Sequence, residues 1–146
     1  METVKDIMSQ KPLTCHPETD IETVAKLMAL HECGEIPVVD LDYGPIGIIT
    51  DRDICARTVA QGRNPIHMKA IEIMSCPVVT VNPEMSLERC CAIMELKLIR
   101  RVTVVNDQGK CIGVVSLSDI LRHGSDSECY ELLREVSRPN EIDYTH

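Results

Sequence analysis

A chain of 146 residues can form one ordinary domain, or two small units that share a core. The net charge of −8, with only 2% aromatic residues and no Phe or Trp, excludes nucleic acid as the main partner, because phosphate binding needs a basic surface and single strands need stacking rings. No apolar stretch approaches the length of a membrane span or of a signal peptide. We therefore expect a cytoplasmic protein without a membrane partner.

The sequence contains an internal duplication. A shift of 66 positions aligns residues 7–54 with residues 73–120 without a gap, and 15 of these 48 pairs are identical. A gapless match of this length predicts two copies of one structural unit.

The first copy predicts a β-α-β-β-α order. A short extended segment, "LTC", precedes a helix whose N-cap is Asp20. The apolar runs "IPVVD" and "IGIIT" predict two strands, and a second helix then runs from Asp51 towards Gln61 and ends at Gly62.

The second copy repeats this order. The segment "VVTV" precedes a helix capped by Ser86, and the strands "VTVVN" and "IGVVS" flank the turn residues Asp107-Gln108-Gly109. The last helix of the copy runs from Leu117 towards His123 and ends at Gly124.

The predicted fold class is α+β (mixed α/β): two β-α-β-β-α repeats pack through their sheets with pseudo-twofold symmetry, and a C-terminal helix follows. The strands are continuous apolar runs, which predicts that both faces of each sheet are covered. We assign residues 1–62 and 71–124 to the repeats, 63–70 to a linker and 125–146 to the C-terminal helix and tail. The C-terminal helix has Ser125 or Asp126 as its predicted cap and the apolar stripe Cys129, Leu132, Leu133 and Val136.

A motif of a hydroxyl residue three positions before an aspartate closes the second strand of each copy. It reads "GIITDRD" with Thr50 and Asp53, and "GVVSLSD" with Ser116 and Asp119. Two interpretations stay open at this point. The motif can be an ordinary capping arrangement at a helix start, or the carboxylate can accept hydrogen bonds from a ligand that lies there.

The pattern G-h-h-[TS]-x-x-D at the end of a β-α-β-β-α repeat resembles the CBS (cystathionine β-synthase) domain, and two in tandem resemble a CBS pair, or Bateman module. Other marks of the family are "DIMS" and "EIMS" at the opening of the copies, and "DRDICARTVAQGRNP", which is similar to free-standing prokaryotic CBS pairs. The resemblance covers about residues 4–124. It implies a regulatory module that binds an adenosine-containing ligand (AMP, ADP, ATP or S-adenosylmethionine) in clefts between the repeats and signals to a protein partner. It also implies a homodimer.

The resemblance assigns roles to particular positions. The aspartates would accept the ribose hydroxyls, the preceding Thr or Ser would reach the sugar or a phosphate, and the arginines would contact phosphate. Adenine would lie against aliphatic side chains and the opening extended segments. The implied ligand-binding residues are Thr14, Ile36, Pro37, Thr50, Arg52, Asp53, Val78, Thr80, Arg100, Arg101, Val102, Ser116 and Asp119.

The two clefts are not equal in sequence. The second copy has Arg100 and Arg101 where the first has Gly34 and Glu35, so we expect the Ser116/Asp119 cleft to prefer phosphorylated adenosine. The Thr50/Asp53 cleft would take a less anionic ligand or remain empty. Thr103 stands where the family usually has proline, which changes the wall that would meet the base in that cleft.

Two rival interpretations remain. The eight cysteines could form a metal or redox site, although they show no C-x-x-C spacing and fit a hydrophobic core as well. The chain could also be an interaction module without a ligand. No nucleophile elbow, P-loop or H-E-x-x-H motif is present, so we predict no catalytic residue, no enzyme activity, no metal and no cofactor beyond the regulatory ligand.

Overall fold

The computed structural model describes residues 2–123 and 126–136, and each repeat in it has the predicted helices and the predicted strand pair between them. The predicted opening strand "LTC" of the first repeat forms only an isolated bridge at Cys15. A short helix that the sequence analysis missed opens each repeat. The elements of the first half are α1 (Val4–Ile7), β1 (Ser9–Gln10), α2 (Ile21–His31), β2 (Glu35–Val39), β3 (Pro45–Thr50) and α3 (Asp51–Arg57). Those of the second half are α4 (Ala70–Ile73), β4 (Thr80–Val81), α5 (Leu87–Lys97), β5 (Arg101–Val105), β6 (Cys111–Ser116), α6 (Leu117–His123) and α7 (Asp126–Val136).

Most predicted helix ends agree with the structure. Asp20 and Ser86 are the N-caps of α2 and α5, and Gly62 adopts a left-handed conformation with φ of 72°. The helix predicted as far as Gln61 is shorter: α3 ends at Arg57, and a separate 3-10 turn covers Val59–Gln61. The predicted stop at Gly124 lies outside the described residues.

The linker contains a second 3-10 turn, Pro65–His67, so the chain does not continue as an α-helix through Pro65. Met68, at the end of this turn, is buried in the first hydrophobic core. The linker is therefore packed against the protein over part of its length.

The strands form two sheets. Strands β2 and β3 form an antiparallel pair, and β1, β6, β5 and β4 lie in that order in a four-stranded sheet. Isolated bridges complete the symmetry, because Cys15–Val38 repeats the β4–β5 pairing and Ile48–Ser75 repeats the β1–β6 pairing. Each of these contacts recurs at an offset of 66, which confirms the predicted pseudo-twofold arrangement.

The opening helices are exchanged between the repeats. Val4 and Ile7 of α1 are buried in the core formed by the second repeat, together with Cys90. Ala70 and Ile73 of α4 are buried in the core formed by the first repeat. Each repeat therefore depends on the other to close its hydrophobic core.

The glycine of each G-h-h-[TS] motif lies where an exchanged segment crosses a strand. A Cβ atom on Gly113 would stand 2.9 Å from the carbonyl oxygen of Ser9 and 2.7 Å from Met8 Sδ. A Cβ atom on Gly47 would stand 3.1 Å from the Ser75 carbonyl oxygen and 2.6 Å from Met74 Sδ. Only glycine leaves room for this approach, so the structure explains the glycine by the packing of the repeats.

The C-terminal helix α7 packs on the second repeat. Leu132 and Val136 are buried in its core, as the stripe predicted. Leu133 was assigned to the same stripe and is 43% exposed, because it follows Leu132 by one position and so lies about 100° around the helix. Ser125 and the side chain of Cys129, the other predicted cap and stripe residues, lie outside the described residues.

Across residues 2–123 and 126–136, no helix combines the length and the apolar character needed to cross a membrane.

Candidate functional site

Thr50 and Asp53 form a capping box at the start of α3. The Thr50 amide donates to Asp53 Oδ2 at 3.0 Å, and the Asp53 amide donates to Thr50 Oγ1 at 3.0 Å. Ser75 Oγ, from the exchanged segment of the other repeat, donates to both oxygens of Asp53 at 3.2 and 3.3 Å. Arg57 Nε lies 3.7 Å from Asp53 Oδ1, and Arg57 Nη1 donates to the Ile73 and Met74 carbonyl oxygens at the end of α4.

Ser116 and Asp119 form the equivalent arrangement at the start of α6. The Ser116 amide and hydroxyl both donate to Asp119 Oδ2, at 2.9 and 3.0 Å. Asp119 Oδ1 accepts one hydrogen bond from Arg122 Nη2 at 3.0 Å, and the side chain of Arg122 is 69% exposed. Each motif thus uses one carboxylate oxygen for the helix cap and presents the other to side chains.

The two arginines predicted to bind phosphate are engaged within the protein. Arg101 Nε lies 2.5 Å from Glu35 Oε2, and Arg100 Nη2 donates to the Val136 carbonyl oxygen at 3.5 Å. Glu35 and the end of α7 therefore lie against the two guanidinium groups, and a phosphate contact by either arginine stays a prediction. Arg52 is exposed at the start of α3.

Positions 35 and 101 are equivalent in the two repeats, so Glu35 and Arg101 pair across the pseudo-twofold axis. Their side chains are 14% and 32% exposed. A Cβ atom on Gly34 would stand 3.1 Å from both Arg101 Nη2 and Asp51 Oδ2, which places a second carboxylate beside the same guanidinium.

Glu35 lies in an acidic environment. Burial raises the pKa of its carboxyl group, Arg101 opposes this rise, and the negative charges of Asp119 and Asp51 add to it. Two further carboxylates thus lie close enough to Glu35 to raise the pKa of its carboxyl group, and Arg101 is the cation that opposes them.

A cavity of about 230 Å³ lies between the repeats beside Glu35. Pro37 and Leu13 of the first repeat line it, and Val114 on β6 contributes from the second repeat. The remaining lining residues are Ser9, Gln10, Lys11, Pro12, His31 and Cys33. The cavity therefore combines the aliphatic wall of one repeat with the strand of the other that leads to Ser116 and Asp119.

Residues from both repeats meet at this cavity and at the Asp53 motif, which is consistent with the expected clefts between the repeats. Ser75 contacts Asp53 from the opening of the second repeat, and the residue equivalent to Ser75, Ser9, lines the cavity that contains Pro37. The exchange of the opening segments is the physical reason, because it brings each segment to the other repeat's motif.

Two predicted ligand contacts lie in the hydrophobic cores. Ile36 is completely buried in the first core and Val102 is 1% exposed in the second. Side chains alternate along a strand, so the next residue points to the other face, and Pro37 is the one that lines the cavity. Thr103, which is equivalent to Pro37, is fully buried, and its hydroxyl has no hydrogen-bond partner among the described residues.

The remaining predicted contacts lie in the opening extended segments. Thr14 Oγ1 donates to the Tyr43 hydroxyl oxygen at 3.1 Å. Thr80 is exposed on β4, where it pairs with Thr103, and Val78 precedes it as a half-buried residue. None of these three lines the cavity described above.

Three of the buried cysteines belong to the two hydrophobic cores. Cys15 lies in the first core and Cys90 and Cys91 in the second, and burial raises the pKa of Cys15 and of Cys90 to about 11. Within the described part of the chain, no three His, Cys, Asp or Glu side chains are close enough to share a metal ion.

Sequence reasoning missed the partners of the two aspartates. Arg57 and Arg122 lie four and three positions after them, a helical ion-pair spacing that could have revealed both. The Ser75 contact has no local signal, because it depends on the exchange of segments. The alignment of the two copies already showed opposite charges at the equivalent positions 35 and 101, and this pattern indicates an ion pair at the pseudo-twofold axis.

Comparisons with known proteins agree on one family. Residues 4–59 and 70–126 match the sequence model of the CBS domain. The chain is 39% identical over 142 residues to the CBS domain-containing protein YhcV of Bacillus subtilis, covering 96% of this chain and 99% of that protein. It is 38% identical over 120 residues to the uncharacterized protein MK0525 of Methanopyrus kandleri, covering 82% of this chain and 61% of that protein.

A solved structure of the same kind carries ligands. The CBS domain pair of protein MJ0100, in complex with 5′-methylthioadenosine and S-adenosyl-L-methionine, has a TM-score of 0.74 and 34% sequence identity to this chain. The match covers 84% of this chain and 94% of that one.

Proposed function

This chain belongs to the CBS domain family and contains two CBS domains, and we propose that it is a regulatory module that binds an adenosine-containing ligand between them. The cavity that joins Pro37 and Leu13 to the strand leading to Asp119 is the observation that carries the proposal. The MJ0100 pair, which binds adenosyl compounds, supports this class of ligand. Asp119 and Asp53 would accept the ribose hydroxyls, and Pro37 would contact the base.

Ligand binding would regulate by fixing the arrangement of the two repeats. The cavity takes its lining from both repeats, and each hydrophobic core contains a helix from the other. A ligand that contacts both sides favours the arrangement in which those contacts form. A protein partner, or a second copy of the chain in a homodimer, would bind preferentially to that arrangement. We propose no catalytic step and a cytoplasmic location.

The experiment is a thermal-shift and calorimetry panel with adenosine, 5′-methylthioadenosine, S-adenosylmethionine, AMP and ATP. A compound that binds only the folded state must raise the melting temperature. We expect at least one to do so in the natural chain, and Asp119→Ala to weaken its binding at least tenfold. No shift with any of the five compounds would contradict the proposal.

A matched control separates binding from helix capping, because Asp119 also caps α6. Ser86 caps α5 through a hydrogen bond from the Arg89 amide at 3.2 Å, and Ser86 belongs to neither [TS]-x-x-D motif. Ser86→Ala should therefore lower the melting temperature by the loss of a cap and leave the ligand-induced shift unchanged. Equal losses of the ligand-induced shift in both variants would show that Asp119 acts only through stability.

A further inference from the structure

We infer that Glu35 is a charge filter of the cavity, which disfavours adenosyl ligands with a 5′-phosphate and admits neutral or cationic ones. The inference rests on the proposed function and specifies its ligand class. A sulfonium or thioether at the 5′ position meets the requirement, whereas a phosphate does not.

Strand β2 contributes a negatively charged group to the cavity wall, the carboxylate of Glu35. Glu35 lines the cavity, whereas Arg101, whose Nε is 2.5 Å from Glu35 Oε2, does not. A phosphate in the cavity would meet the Glu35 carboxylate before it could reach the guanidinium. Because the Glu35 side chain is only 14% exposed, water and salt screen this repulsion weakly.

The surroundings do not supply a compensating positive charge. Asp51 Oδ2 and Arg101 Nη2 would each stand 3.1 Å from a Cβ atom on Gly34, so a second carboxylate lies in the neighbourhood of the Arg101 guanidinium, which is itself paired with Glu35. The side chains lining the cavity that can carry a positive charge are Lys11 and His31, and both are exposed to solvent. Charges at exposed positions are screened and contribute little to selectivity.

The test is a calorimetric titration of the full chain with 5′-methylthioadenosine, S-adenosylmethionine and AMP. We expect the natural chain to bind at least one of the first two at least tenfold more tightly than AMP. Glu35→Gln should raise the affinity for AMP at least tenfold and change that for 5′-methylthioadenosine less than threefold. The substitution removes the repulsion between Glu35 and the phosphate, and it frees the guanidinium of Arg101 to contact that phosphate.

Glu32→Gln is the matched control. Glu32 lies at the end of α2, is exposed and does not line the cavity, so the variant changes the net charge equally at a distance. We expect its AMP affinity to remain that of the natural chain. Equal AMP gains in both variants, or AMP binding to the natural chain as tightly as 5′-methylthioadenosine, would overturn the charge filter alone. Absence of binding by all three compounds would also overturn the charge filter, and absence of binding by adenosine and ATP as well would overturn the proposed function.

Discussion

The exchange of the opening helices predicts that a substitution in one repeat loosens the core of the other. Ile7 and Ile73 occupy equivalent positions, are 7% and 0% exposed, and lie in the second and first cores respectively. Changing either to Ala removes three carbon atoms, which costs about 2.4 kcal/mol in transfer free energy at ~0.8 kcal/mol each. The cavity left behind brings the cost to about 3 kcal/mol, which is ~100-fold in the opening equilibrium.

Buried cysteines report which core opens. Cys90 shares the second core with Ile7, and Cys15 shares the first core with Ile73. Burial raises the pKa of both thiols to about 11, so neither is a reactive thiolate at pH 8 in the folded chain. Pulsed alkylation followed by peptide mass spectrometry measures each rate, and the exposed Cys55 and Cys76 report that the reagent is active.

Ile7→Ala should accelerate the alkylation of Cys90 about 100-fold and that of Cys15 much less. Ile73→Ala should have the reverse effect. Faster labelling of Cys15 in Ile7→Ala, with Cys90 unchanged, would refute the exchange of helices. Equal acceleration of both thiols in both variants would refute the separate opening of the two cores.

Three further predictions concern single positions. Glu35→Gln should become more stable relative to the natural chain as the pH rises above about 4.5. Because the pKa of Glu35 is raised in the folded chain, the folded natural chain binds more protons than the unfolded chain in this pH range, and the stability of the natural chain falls as the pH rises. A difference in unfolding free energy between the variant and the natural chain that stays constant from pH 4 to pH 8 would contradict this. Glu32→Gly should stabilise the chain by about 1 kcal/mol in urea unfolding, because Glu32 is exposed with φ of 51°; a loss of stability would show that the side chain makes a contact worth more than the strain. Gly113→Ala should destabilise by about 2 kcal/mol in the same assay and Gly47→Ala by less, because the nearest backbone oxygen would lie at 2.9 Å rather than 3.1 Å; the reverse order would indicate that the methionine contacts decide the cost.

The elements were predictable because their signals are local. The caps Asp20 and Ser86 and the turn at Gly109 follow from short patterns, and each is found where the sequence places it. The exchange of α1 and α4 was not predictable from these patterns. The apolar side chain of Ile7 predicts burial, but it does not predict in which of the two similar cores the side chain is buried.

The site was predictable in its residue types and less so in its contacts. The two aspartates lie at helix starts as expected, and Arg101 lies against Glu35, a contact that the sequence analysis did not predict. The long side chain of Arg101 reaches Glu35 across the pseudo-twofold axis, and the two residues are too far apart in sequence for a local pattern to predict their contact. The alternation along β2 was visible, and it would have separated the buried Ile36 from the cavity-lining Pro37.

The two interpretations of the [TS]-x-x-D motif are compatible, because the cap and the proposed ligand contact would use different oxygens of the carboxylate. In Asp119 the cap occupies Oδ2. Among the described contacts, Arg122 is the sole side chain that binds Oδ1. Because the side chain of Arg122 is 69% exposed, this ion pair contributes little to stability. In Asp53, Ser75 contacts both oxygens, and Arg57 is held in place by two carbonyl oxygens of the exchanged segment. A ribose hydroxyl could replace Arg122 without disturbing the fold, whereas at Asp53 it would compete with contacts that join the repeats. Asp119 should therefore bind ligand at lower cost than Asp53, so the asymmetry of the clefts would arise from how firmly each carboxylate is held.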